Sequence, residues 1–591
     1  MTSLAGPVFD KELRVASRRK RFYALRFIYL AALTFFVAMT WIKWVETARS
    51  WFPVMQGWPV AAQRAQISTV MAAAGTHIVD TILWFQFIAT QIVAVFLCST
   101  AVNEEVSRRT LGILLTTPVS CFKIVLGKLL SKLLQVVILL AISLPLLAIV
   151  RIFGGVPWGM VVSGLLITLA GAVMVGSLSL YLSSVFRDAP RVVLFTALFY
   201  GAAFCMLPLC CLIADPAFSS FSPPFAMWLN SAGLMDPSAG TKMAFLCPFF
   251  CVLMILFAAV LMKLATVRVR RAALRSAAGP GPQKVMVLYA PGYQPPTRRV
   301  SGSAMIWKEL RFYLPANKRK MYLAFLLAGA MVMLSYASCA ASRMLDYVSV
   351  QMLYIIIWLG LSALLTALMA ATSITVEKES RALVLLLTAP MSDASIILAK
   401  ASGVLRRAAP TLVMLAVHLA GMAALGAMHW AGAVLVALLS AWVIVFLGGM
   451  GMYFSSLLRT SSAAVVATVG ACLGLWVAAP AFATALPGQW RAARTFLQTC
   501  NPGVQLSVIV QATSELHARE EAGRLEFQWP HSQEYDIREL TSVARSEAPS
   551  ALDSSLAGAM GVLALSCLGY GGLGVLMAWR AKVLMRRRLF G

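Results

Sequence analysis

Charge is scarce in this sequence, and acidic charge most of all. Only 12% of the 591 residues are charged, and 50 lysines and arginines face 23 aspartates and glutamates. With 60% hydrophobic residues and a mean hydropathy of +0.80, the balance excludes a soluble globular domain and describes a polytopic membrane protein. Histidine is rarer still, at five, and no HxxxH or CxxC spacing occurs, so no metal site is read. The eleven cysteines are scattered, mostly inside apolar runs. Cys205, Cys210, Cys211, Cys247 and Cys251 come together only if the fifth and sixth spans are neighbours. A soft-metal site is one reading of them, and small apolar fillers between packed helices the preferred one.

Other absences narrow the function. There is no GxxxxGK[ST] phosphate loop, so the chain does not bind ATP in that way, and no cofactor is expected. No Ser/His/Asp, HExxH or paired-carboxylate pattern stands out for an intramembrane enzyme. Ion-driven transporters keep ionisable groups near mid-membrane, where they are costly. Here the apolar runs are nearly free of them: His418 is the clearest interior candidate, and Asp80 and Arg151 lie at span ends. The net charge of +27 would suggest nucleic acid for a soluble chain. The positives cluster beside apolar runs instead, as the positive-inside rule predicts, and no nucleic-acid partner is read. No cleavable leader is read either: Met1–Arg21 is basic and leads straight into the first span.

What is present is a repeat. Glu105–Lys128 reads EVSRRTLGILLTTPVSCFKIVLGK, and Glu377–Lys400 reads EKESRALVLLLTAPMSDASIILAK. The offset is 272 without a gap, and eleven of 24 positions are identical, among them Glu105/Glu377, Arg109/Arg381, Pro118/Pro390 and Lys128/Lys400. Each copy lies between two long apolar runs and is too charged at its start to sit in hydrocarbon. Glu105 with Arg109, and Glu377 with Arg381, suit i,i+4 pairs on a short surface helix. Pro118 and Pro390 end that helix, because the residue before proline avoids the α region. At the same offset, Tyr181-x-Ser183-Ser184-x-x-Arg187 matches Tyr453-x-Ser455-Ser456-x-x-Arg459. A second repeat is Lys-Glu-Leu-Arg, at Lys11–Arg14 and Lys308–Arg311. Each tetrapeptide lies in a basic amphipathic segment (Phe9–Arg21, Ile306–Lys320) that predicts a helix along the cytoplasmic interface.

Spans of about 20 apolar residues fall near Ala24–Trp44, Ile78–Val102, Ile124–Val150, Trp158–Phe186, Val192–Ala214 and Ala244–Thr266. In the second half they fall near Met321–Ala341, Val350–Thr372, Ile396–Ala427, Ala431–Leu458, Ser462–Leu486 and Leu556–Ala581. This makes an all-α membrane protein of about twelve transmembrane helices, arranged as two parallel six-helix repeats. An even span number and basic ends place both termini in the cytoplasm. The expected domains are 1–276, a Gly/Pro-rich cytoplasmic linker 277–303, and 304–591. The main asymmetry is an outer loop at 487–554, where six arginines face nine carboxylates. That contrast with the rest of the chain places it outside, where it could serve an extracytoplasmic partner.

A permease with no energy source of its own takes it from a partner, and the repeated segment is where a partner could push. The pattern resembles the permease of an ABC-2-type, exporter-class ATP-binding-cassette transporter. That family has six spans after an interfacial helix. Its coupling helix, between the second and third spans, carries a motif similar to E-x-x-x-G-T-L-E-x-L-L-x-T-P-V-S and then I-x-x-G-K. The first copy matches at Glu105, Thr110-Leu111, Leu114-Leu115, Thr117-Pro118-Val119-Ser120 and Gly127-Lys128. It departs at Arg109, where glycine is usual, and at Gly112, where glutamate is usual. The second copy keeps Leu383, Leu386-Leu387, Ala389-Pro390, Ser392 and Lys400, with Ala382 for threonine and Ala399 for glycine.

The resemblance implies an export permease in the cell membrane, working with two copies of a separate cytoplasmic ATPase. It implies coupling helices at 104–117 and 376–389, with Glu104, Glu105, Arg108, Arg109, Pro118, Glu377, Glu379, Arg381 and Pro390 as the residues facing the ATPase. It also implies short re-entrant outer helices between spans five and six, with Ser222-Pro223 and Asn501-Pro502 as landmarks. Two rivals stand beside it. A membrane scaffold or anchor without transport would show no dependence on ATP hydrolysis. An ion-coupled secondary transporter would need midplane carboxylates.

Overall fold

The computed structural model describes residues 9, 12, 14, 20–51, 57–101, 120–150, 156–186, 189–201, 203–204, 222–235, 237–277, 303–311, 330, 332–341, 347–484, 486, 490–514 and 556–590. Among them there is no β-strand. Backbone polar groups cannot be left open in hydrocarbon, and an α-helix closes them within its own segment. Ten helices among the described residues are long and apolar enough to cross a membrane. Two shorter apolar helices, Arg191–Gly201 and Val332–Ala341, fall in the remaining two expected spans, part of which lies outside the described residues. The chain is a multi-pass membrane protein.

It divides into two compact units, Met1–Thr297 and Arg298–Gly591. In the first, the spans are Lys20–Trp51, Val60–Ser99, Cys121–Val150, Trp158–Val185, a fifth beginning at Ala189–Gly201, and Pro237–Ala277. A short helix, Pro223–Met235, precedes the sixth. The fourth span sits innermost, packed against the second and the sixth. Ile78, Ile82 and Leu83 of the second span, Met174 of the fourth, Met227 of the short helix and Met254 of the sixth belong to one buried cluster. Two buried hydroxyls close onto backbone carbonyls: Thr168 donates to the Gly164 carbonyl at 2.7 Å, and Ser179 to the Val95 carbonyl at 3.0 Å.

The second unit repeats the order. An interfacial helix, Ala304–Arg311, precedes spans containing Val332–Ala341, Val348–Thr372, Asp393–Ala424 and Trp430–Leu457. The fifth span runs through Ser461–Leu473, a π turn at Gly474–Ala478, and Ala479–Thr484. After Arg491–Thr499 and a helix over 502–514, the sixth span comprises Leu556–Ser566, a π turn at Cys567–Gly571, and Gly572–Phe590. His418 is a hydrogen-bonded interior residue: its Nδ1 lies 2.7 Å from the Tyr336 hydroxyl, and Tyr354 donates to Ser335 Oγ at 3.0 Å alongside. Of 487–554, expected from the sequence as an outer loop, residues 490–514 are described and helical over most of their length.

Candidate functional site: the polar segment between the second and third spans

Residues 102–119, with Glu104, Glu105, Arg108, Arg109 and Pro118, lie outside the described residues, and of the first copy only its end, 120–128, is described. The second is described throughout. The second span ends at Thr372, and a short helix, Thr375–Glu379, follows. Arg381 then takes a left-handed conformation, φ 57°, which breaks the helix before Ala382–Thr388 starts. A β-carbon disfavours this conformation by about 1–2 kcal/mol, and glycine adopts it freely. Ala389 is extended (φ −69°, ψ 147°), as the residue before Pro390 must be. Ser392 then caps the third span, accepting from the Ser395 N–H at 3.2 Å.

Three successive side chains each grip a different element. Glu377 does not pair with Arg381; its Oε1 accepts from Lys400 Nζ of the third span at 2.6 Å, with Lys308 of the interfacial helix 3.6 Å away. Lys378 Nζ donates to the carbonyls of Ser455, Ser456 and Leu458 at 2.8, 2.5 and 3.1 Å. Those carbonyls end the fourth span, where a helix has no internal donors left and its dipole is negative. Glu379 does the reverse at the start of the fifth span, accepting from the Ser461 N–H at 2.7 Å and its hydroxyl at 3.0 Å. Ser455 Oγ in turn accepts from the N–H groups of Ile374 and Thr375, each at 3.0 Å. The Tyr-x-Ser-Ser motif is therefore the seat of this polar segment.

Beneath the segment lies a buried ionic node. Lys400, 6% exposed, also donates to Glu309 Oε1 at 2.6 Å, and Arg407 Nη2 donates to Glu309 Oε2 at 2.9 Å. Glu309 is the glutamate of the second Lys-Glu-Leu-Arg. Gly403 makes room for it: a β-carbon there would stand 2.9 Å from Glu309 Oε2. In the first unit, Glu12 of the first tetrapeptide meets Lys128 and Lys132, both at 3.4 Å. Burial pushes the Glu12 carboxyl up, but the two ammonium groups outweigh it and hold it below its ordinary value. Both units thus join the interfacial glutamate to the lysine that closes the 24-residue repeat.

The segment has two apolar faces. Leu383 and Leu387 turn inward into a cluster with Ala370, Ile374, Ile396 and Ile397. Val376, Val384 and Leu385 turn outward, Leu385 to 75% exposure, beside Arg381. Of the residues read from sequence, Glu377 faces the node, Glu379 caps the fifth span, Arg381 forms the break and Pro390 the end. Sequence reasoning missed Lys378, Glu309, Lys400 and Arg407 as members of the site. The signal for Lys400 and Glu309 was present as two unmatched charges of opposite sign, each inside a repeat.

A family model described as ABC-2 family transporter protein matches residues 7–225 and 248–571. No curated protein and no solved structure matches the chain. The two matched stretches take in nearly all the spans of both units and both copies of the polar segment. On that coverage the chain belongs to the ABC-2 transporter family and is a permease of an ABC transporter.

Proposed function

We propose that the chain is an export permease of the cell membrane, with both termini cytoplasmic and no nucleotide site of its own. It is energised by two copies of a separate cytoplasmic P-loop ATPase docking on 104–117 and 376–389. The observation that carries the reading is the geometry of the second coupling segment. Its outer face offers Val376, Val384 and Leu385, with Arg381 beside them, while its inner side chains hold the third, fourth and fifth spans and the interfacial helix. A push on the exposed face would therefore reach four helices through short charged contacts.

The test is co-purification in mild detergent. We expect a stoichiometric P-loop ATPase at two copies per chain, lost when Leu385 and Ile113, its counterpart at the repeat offset, are both changed to Glu. The Leu385 side chain is exposed and apolar, so its replacement breaks no side-chain hydrogen bond and the chain should still fold. Absence of any ATPase across several detergents would sink the reading and leave the scaffold in its place.

A further inference from the structure

The fifth span of each unit breaks its helix at the same place. Ala203–Phe204 and Gly474–Ala478 are π-helical, and Phe204 and Trp476 stand 272 apart, the offset of the repeat. A π turn takes carbonyls out of the regular ladder. At membrane depth a carbonyl left open costs several kcal/mol, so each needs an outside donor. In the first unit Ser222 Oγ donates to the Phe204 carbonyl. In the second, Asn501 Nδ2 donates to the Trp476 carbonyl at 2.6 Å.

Ser222 and Asn501 occupy matching places in the fold. Each immediately precedes a proline that opens an outer helix, Pro223–Met235 or 502–514. They stand 279 apart, not 272, so seven residues have entered between π turn and outer helix and the donor has changed type. The contact is nonetheless made in both units. Each outer helix is also tied elsewhere. Ser231 donates to Asp80 of the second span at 2.6 Å, and Gln505 to Ser566 of the sixth at 2.6 Å.

We propose that Ser222 and Asn501 are positioning residues of the transport cycle: each bolts its outer helix to the π turn of the fifth span, so that the two move as one lever at the outer side. The functional meaning rests on the permease reading, but the bolt itself does not. Asn501 has a second role, because its Oδ1 accepts from the Gly503 N–H at 2.7 Å and so caps the outer helix. Aspartate caps as well as asparagine but cannot donate while ionised, which separates the two roles.

The experiment is hydrogen–deuterium exchange on the full chain in lipid nanodiscs. In Asn501→Ala and Asn501→Asp at pH 7.5, we expect amides of 476–484 and 502–514 to exchange at least tenfold faster together, with 430–457 unchanged. At pH 4 the protonated aspartate regains a donor, and Asn501→Asp should recover its protection while Asn501→Ala does not. Wild-type exchange in Asn501→Ala would overturn the bolt, as would loosening of 502–505 alone or an Asn501→Asp effect indifferent to pH. ATP hydrolysis by the co-purified complex is then read for the same variants. A complex that hydrolyses at the wild-type rate and pumps no less would leave a bolt without a role in transport, and absence of an ATPase would count against the permease reading only.

Discussion

Lys400 is buried between two carboxylates of the second unit. It holds one from the polar segment and one from the interfacial helix, 23 and 91 residues away in sequence. Removing one partner of a buried ion pair typically costs about 3–5 kcal/mol, because the charge left behind is uncompensated. Lys400→Met would strand Glu377 with only the 3.6 Å contact to the more exposed Lys308. We expect a lower thermal midpoint by fluorescence in detergent and weaker stimulation of the partner's ATP hydrolysis. An unchanged midpoint would mean that the node is solvated and gives no stiffness. The lysine itself was visible in the sequence as the closing residue of the repeat. Its partners were not, because nothing local announces which of several glutamates will fold onto it. The i,i+4 pair expected for Glu377 and Arg381 fails for a related reason. Arg381 sits in the left-handed region, so the two side chains no longer share a helical face.

At the scale of the element, spans were legible from length and apolarity, and their packing was not. In the second unit the fourth and sixth spans cross at two glycines. A β-carbon on Gly449 would stand 1.9 Å from the Gly574 carbonyl oxygen, and one on Gly574 would stand 2.7 Å from that of Val445. Small residues allow backbones this close, which is how helices associate without a hydrophobic drive between them. Gly449→Ala should therefore cost at least the upper part of the about 1–3 kcal/mol typical of overpacking, since the atom it meets is backbone and cannot rotate away. Its neighbour is the control: a β-carbon on Gly448 meets only Thr366 Cγ2, at 3.9 Å, and Gly448→Ala should fall within about 0.5 kcal/mol of wild type. Equal midpoints for the two variants would show that the crossing is looser than described. The π turns were equally hidden, because a five-residue change of pitch leaves no mark in an unbroken apolar run. The landmarks Ser222-Pro223 and Asn501-Pro502 stood out, but not the carbonyls they serve.

Across the whole molecule, the repeat announced two related units, and the physical reading of the second exposes where the first must differ. At the offset of 272, Lys378 and Glu379 correspond to Val106 and Ser107, while Ser455, Ser456 and Ser461 correspond to Ser183, Ser184 and Ala189. The first unit therefore has the helix ends that the grip would hold, and lacks both gripping charges. The asymmetry is testable by transplant. Val106→Lys with Ser107→Glu would place at the matching positions the cation and the carboxylate that hold the second segment. Hydrogen bonds to charged groups contribute about 1.5–3 kcal/mol each, so amide exchange across 102–112 should slow by tenfold or more in the double variant. The equivalent loss, Lys378→Ala with Glu379→Ala, should speed exchange across 374–381 by a similar factor. If the transplant changes nothing while the deletion does, the two segments are seated differently.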